Sequence, residues 1–163
     1  MRPFYALFLL LFASVVAHGD TPLLWNQPAN PQTCPVGDDA VWVQYAGGSA
    51  CIRYFSAGSL HDAPLALVMF KGDRVSLIKR PPQEIPANTA DAQRRQAQAI
   101  FRRTGLPTLI IARPGTYGSS GNHYRRRQAE EFRALNAAVD AIKARYAIQR
   151  FILSGHSGGA TAA

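Results

Sequence analysis

The stretch Phe151-Ile152-Leu153-Ser154-Gly155-His156-Ser157-Gly158-Gly159-Ala160-Thr161-Ala162-Ala163 decides how this chain folds. Its first three residues are a short apolar run of the kind a buried strand uses, and its last four are small residues suited to the first turn of a tightly packed helix. Between them Gly155-His156-Ser157-Gly158-Gly159 fits G-x-S-x-G. A strand-to-helix turn this sharp strains its central residue and crowds its neighbours; Gly155 and Gly159 relieve the crowding by having no side chain. The turn lifts the Ser157 hydroxyl clear of the sheet, at the positive end of a helix where a developing oxyanion is stabilised. His156 is read as part of this elbow and not as a base, because adjacent side chains at such a turn point apart.

Working outward, residues 124–147 carry Phe132, Leu135, Val139, Ile142 and Tyr146 at spacings of three and four, which predicts a long amphipathic helix. Before it, 113–121 is a Gly, Ser and Pro loop that follows a buried strand at 108–112. Ala97, Ile100 and Phe101 share one side of an earlier helix, capped by Asn88 and ended by Gly105 and Pro107. Pro81, Pro82 and Pro86 make 78–87 a loop, and 65–70 is a continuous apolar run read as a strand buried on both faces. Residues 41–45 and 51–55 alternate around Gly47-Gly48 as a β-hairpin, and 21–37 is an irregular lead-in. Two hairpin strands followed by strand, helix, strand, helix, strand predict an α/β fold with parallel central strands and helices on the faces of the sheet.

Three motifs in order carry a resemblance to a known family. They are the first buried strand with Phe70-Lys71-Gly72-Asp73, the second with Arg113-Pro114-Gly115-Thr116-Tyr117-Gly118-Ser119-Ser120-Gly121, and the third with the elbow. The chain resembles the α/β-hydrolase family over 41–163: the middle motif is similar to the family's R-P-G-x-x-x-S loop, and the last to its nucleophile elbow. The resemblance implies the N-terminal half of an α/β-hydrolase sandwich. It also implies Ser157 as nucleophile, the Gly158 backbone N–H as one oxyanion donor, and Gly72 or Asp73 as the second. Lys71 stands where many members carry His. Arg113 and Tyr117 either touch substrate or brace their loop, and bracing is favoured.

A serine nucleophile needs a base, and the base an orienting carboxylate. In the family both follow the serine, as Asp or Glu and then His, and the sequence reaches only Ala163. Upstream, His18 falls in the leader, His61 before the first buried strand and His123 at the start of the long helix. The expectation is therefore an incomplete domain at 20–163, inactive by itself and exposing an apolar sheet edge. The leading function is an exported serine hydrolase acting on an ester, thioester or amide through an acyl-serine intermediate, esterase or lipase before peptidase. The alternative is a degenerate hydrolase-like binding module or relic. A chymotrypsin-like protease is excluded, because that all-β fold has no helix leading into its serine.

Composition narrows the rest. With 163 residues, 47% hydrophobic and 17% charged, the chain suits one domain with a real core, which excludes wholesale disorder, a collagen-like repeat or a disulfide miniprotein. Arg2 followed by the apolar run 4–17 and small residues reads as a signal peptide over 1–19, too short to anchor the chain in a membrane, so the expected location is secreted or periplasmic. In an oxidising compartment Cys34 and Cys51, the only two cysteines, would pair and stabilise the fold by roughly 3 kcal/mol; two buried free thiols are the alternative. The net charge of +8 is carried mostly by Arg94-Arg95, Arg102-Arg103 and Arg125-Arg126-Arg127, assigned to two helices. That pattern reads as solvated helix faces or, more sharply, as peripheral attraction to anionic surfaces. Nucleic acid is not expected as a partner, since no binding module is recognisable. No metal or cofactor is called for: neither cysteine has a CxxC partner or a nearby His pair.

Overall fold

The computed structural model describes residues 20–37 and 39–163; the leader read at 1–19 lies outside the described residues. Their core is a five-stranded mixed sheet of β1 (Ala40–Tyr45), β2 (Gly48–Ala57), β3 (Ala66–Phe70), β4 (Thr108–Ile111) and β5 (Phe151–Gly155), in the order β1-β2-β4-β3-β5. β1 and β2 form the expected hairpin, with Tyr45 opposite Gly48 and Ala40 opposite Arg53. β2 runs antiparallel to β4, and β3 lies parallel to both β4 and β5, with Phe70 beside Ile111 on one side and Gly155 on the other. This is the α/β arrangement of hairpin plus parallel centre anticipated from the alternation of elements.

The sheet is covered on both faces because successive side chains point to opposite sides. Helix α2 (Ala129–Tyr146) covers one face, where Ala134, Leu135, Ala138 and Ile142 pack on Ile52, Tyr54, Val68, Phe70, Leu109 and Ile111. The other face takes helix α1 (Ala90–Thr104), where Ala97, Ile100 and Phe101 meet Ala57, Met69 and Ile110. Beside α1 the lead-in lays Leu23 and Trp25 against Phe55, Ala112 and Tyr117. A disulfide between Cys34 and Cys51, with Cα atoms 5.6 Å apart, ties that lead-in to β2. Among the described residues no helix is long and apolar enough to cross a membrane.

Four local expectations are corrected. The cap of α1 is Thr89, whose Oγ1 accepts from Ala92 N at 3.2 Å. Asn88 is drawn instead into the lead-in, accepting from Trp25 Nε1 at 2.8 Å and donating to Leu23 O at 2.7 Å. Helix α2 begins only at Ala129, so Arg125, Arg126 and Arg127 precede it on a 3-10 turn and loop. Its buried stripe is the predicted one without Phe132: Leu135 and Ile142 are buried, and Val139 and Tyr146 pack partly buried on the same core, but Glu131, Ala134 and Ala138 are buried beside them while Phe132 lies outside that core. Finally, β5 is not the buried strand its apolarity implies but the exposed apolar edge expected of an incomplete sheet: it is an edge strand, with Ile152 and Leu153 44% and 43% exposed.

Candidate active site

β5 delivers the chain to the C-terminal edge of the parallel strands, where His156 N donates to Phe70 O at 3.2 Å. Ser157 then takes φ +52°, a left-handed conformation costing a non-glycine residue on the order of 1 kcal/mol. Its side of the turn is exposed, whereas Gly158 and Gly159 are buried. The glycines are sterically compelled. A Cβ on Gly155 would stand 2.2 Å from Gly159 O, and one on Gly159 would stand 2.2 Å from Phe70 O. Residues Ser157–Gly159 form a single 3-10 turn in place of the anticipated α-helical start, since Gly159 N and Ala160 N each bond three residues back.

The structure brings Ser157, Gly158, Gly72 and Asp73 together. A Cβ on Gly72 would lie 3.3 Å from Ser157 Cβ and 3.0 Å from His156 O, so the loop after β3 is pressed against the elbow. Asp73 is present by its carboxylate as well as its backbone: Oδ1 lies 2.1 Å from the position a Gly158 Cβ would take. That carboxylate receives Arg113 Nη1 at 2.8 Å and Arg127 Nη2 at 2.6 Å, with Arg126 Nε at 3.3 Å. Burial alone would raise the Asp73 carboxyl, but the Arg113 hydrogen bond and the three guanidinium charges override it and hold the group below its ordinary range.

Arg113 is the brace expected of it. Its Nε and Nη2 grip Glu131 Oε1 and Oε2 at 2.7 and 3.0 Å, and Nη1 also reaches Lys71 O at 3.3 Å. The two side chains are 1% and 2% exposed, a paired bidentate bridge in the interior. Burial would lower the Arg113 guanidinium, and Glu131 and Asp73 raise it. Glu131 escaped the sequence reading, although a signal was there: it falls four residues before Leu135 on the apolar face, where only a paired carboxylate is tolerated.

No histidine reaches Ser157 as a base among the described residues. His61 packs on the Tyr146 ring at 5.0 Å. His123, expected at the start of the long helix, is buried in the preceding 3-10 turn. Its Nε2 accepts from Arg74 N at 3.1 Å, and Nδ1 lies 3.2 Å from Pro114 O; the neutral Nδ1–H tautomer satisfies both. Burial first, and then Arg113, push its pKa below the usual value. His156 is exposed on the turn. His18 lies outside the described residues.

Lys71 turns away from the serine. Its ammonium donates to Gln93 Oε1 and stands 4.5 Å above the Tyr117 ring. Burial, aided by the charge of Arg74, pulls its pKa down to about 7. Two cavities flank it. One of about 360 Å³ is lined by Lys71, Asp73, Arg74, Ser76, Gln96 and Tyr117, and one of about 250 Å³ by Met69, Gly72, Ile100, Ile110 and His156 together with Lys71, Arg74 and Gln96. A further cavity of about 240 Å³, by Tyr45, Pro114 and Glu130, includes no elbow residue. Among the described residues no three or more His, Cys, Asp or Glu side chains group as metal ligands.

No family model and no curated protein matches this chain. Among solved structures it is similar to a lid-less α/β serine hydrolase from Xanthomonas campestris, at 14% identity and a TM-score of 0.44. The match covers 82% of this chain and 55% of that one, so the chain spans about half the length of that hydrolase.

Proposed function

We propose that the protein is an exported serine hydrolase that cleaves an ester, thioester or amide through an acyl-Ser157 intermediate. The observation that carries this reading is the exposed Ser157 held at φ +52° at the end of β5. Energy stored in a backbone conformation persists where surrounding structure over-determines it, and here two glycines and the β3 loop do so. Ser157 Oγ would attack the carbonyl, with the alcohol, thiol or amine departing with a proton; water then hydrolyses the acyl-enzyme and returns the hydroxyl. The Gly158 N–H and that of Gly72 or Asp73 would receive the oxyanion. No hydrogen bond engages the Gly72 or Asp73 N–H among the described residues, which leaves them available. Among the described residues no histidine is placed to act as the base of Ser157. Esterase or lipase chemistry precedes peptidase chemistry on fold analogy alone. Export is supported by the Cys34–Cys51 disulfide.

A fluorophosphonate probe tests this. Labelling of the full-length product at Ser157, abolished by Ser157→Ala, is expected; a folded sample that takes up no label overturns it. One observation favours a second reading, a hydrolase-like module without catalysis. The Asp73 carboxylate packs against Gly158, and a negative charge there opposes a developing oxyanion unless its arginines neutralise it.

A further inference from the structure

The loop after β3 places two cations without counterions beside the elbow. Among the described residues neither Lys71 nor Arg74 takes part in an ion pair. The Lys71 ammonium has a neutral acceptor, Gln93 Oε1, and the face of Tyr117; Arg74 Nε is buried with no hydrogen-bond partner. Both line the cavity of about 360 Å³, whose one acidic lining residue, Asp73, gives its carboxylate to Arg113, Arg126 and Arg127. The same two side chains, with Gln96, also border the smaller, more apolar chamber that reaches Gly72 and His156. Lys71 and Arg74 therefore stand between a polar space and a chamber that borders Gly72 and His156, the residue before Ser157.

Burying a cation without an anion costs free energy, and a second cation beside it adds repulsion. At Lys71 a neutral acceptor, Gln93 Oε1, and the Tyr117 face offset only part of that cost, whereas the neighbouring Asp73 carboxylate is surrounded by guanidinium partners. We propose that this cavity receives an anionic oxygen group of the substrate, a carboxylate or a phosphate, held between the Lys71 ammonium and the Arg74 guanidinium while Ser157 meets the substrate carbonyl. The ammonium supplies compact charge, and the guanidinium supplies a planar fork that fits two oxygens. The substrate class is then an ester, thioester or amide with a negative charge and an apolar segment between it and the reacting carbonyl. Its place at the active centre rests on Ser157 being the nucleophile; the anion site itself does not.

Calorimetry on the full-length Ser157→Ala protein, in which turnover is blocked, separates the two. The probes are monomethyl succinate, methyl phosphate and neutral methyl butyrate. At least one anionic probe is expected to bind about tenfold more tightly than methyl butyrate, and the arm that binds identifies carboxylate or phosphate. Added Lys71→Met or Arg74→Gln should each erase that preference. Arg74 is partly exposed, so its variant tests the site independently of Lys71. Equal binding of charged and neutral probes overturns the proposal, as does a preference that survives both substitutions. Loss of fluorophosphonate labelling in the Ser157 protein with the preference intact removes the nucleophile reading and leaves the anion site standing.

Discussion

Asp73 and Lys71 sit two residues apart on one loop, yet the structure treats their charges in opposite ways. Asp73 enters a closed network in which Arg113 joins it to Glu131 and the rim arginines complete its shell. Lys71 and Arg74 line a cavity whose one acidic residue, Asp73, has its carboxylate paired to Arg113, Arg126 and Arg127 and to neither of them. A buried charge that has its partners is structural, and removing one partner is costly because the other stays buried. A half-buried charge without a partner is a standing cost, the kind of feature retained at functional sites. The difference separates what holds the elbow in place from what faces a ligand.

The largest expected break in that contrast is Arg113→Met. It strands the Glu131 carboxylate, 2% exposed, and should remove about 3–5 kcal/mol in urea unfolding. A loss no larger than that of Arg126→Met would show that Arg113 is not the hub. Lys71→Met should act in the opposite direction, raising stability at pH 7 by on the order of 1–3 kcal/mol. The folded Lys71 titrates near 7 and the unfolded one near 10.5, so between those values the unfolded chain binds more protons and native stability climbs with pH. The advantage of the variant is thus full below about 7 and gone above 10.5. Unfolding midpoints of both proteins across that range check it, and a constant difference would refute the titration.

Asp73→Asn keeps the shape and removes the charge, and should cost about 1–2 kcal/mol at neutral pH. Because the folded carboxyl is held below 3.8, the wild-type contribution is present above that value and lost as pH falls beneath it, where the two proteins should converge. The smallest effect belongs to His123. Its folded pKa is lowered, so stability is full above 6.5 and declines as pH falls below it, by a few tenths to about 1 kcal/mol. His123→Gln should flatten that slope in thermal melts between pH 5 and 7, and an unchanged slope would place its origin elsewhere.

Much of the scaffold was legible because its signals are local. The apolar runs at β3 and β4, the Gly47-Gly48 hairpin and the C-cap at Gly105, which adopts φ +70°, each follow from residues within one element. The elbow was legible too, since Gly155 and Gly159 meet backbone where a Cβ would collide. Asn88 shows the limit. A good cap residue by type, it bonds Trp25, 63 positions away, and Thr89 caps α1 in its place. β5 shows another: its apolarity signals a strand, but whether neighbours cover it is a question of sheet order.

By itself the sequence determined the α/β alternation, the strained turn around Ser157 and the identity of the residues on the loop after β3. Hydrophobic period and steric crowding act over a few residues, so the order of residues is enough to read them. Only the tertiary structure decided that Glu131 turns inward to Arg113, that Asp73 lies against Gly158, and that Lys71 and Arg74 are left facing a cavity. Those pairings span 18 positions for Glu131 and Arg113 and 40 for Arg113 and Asp73. The energy of a charge depends on what surrounds it in space, and that surrounding is set only when the elements pack.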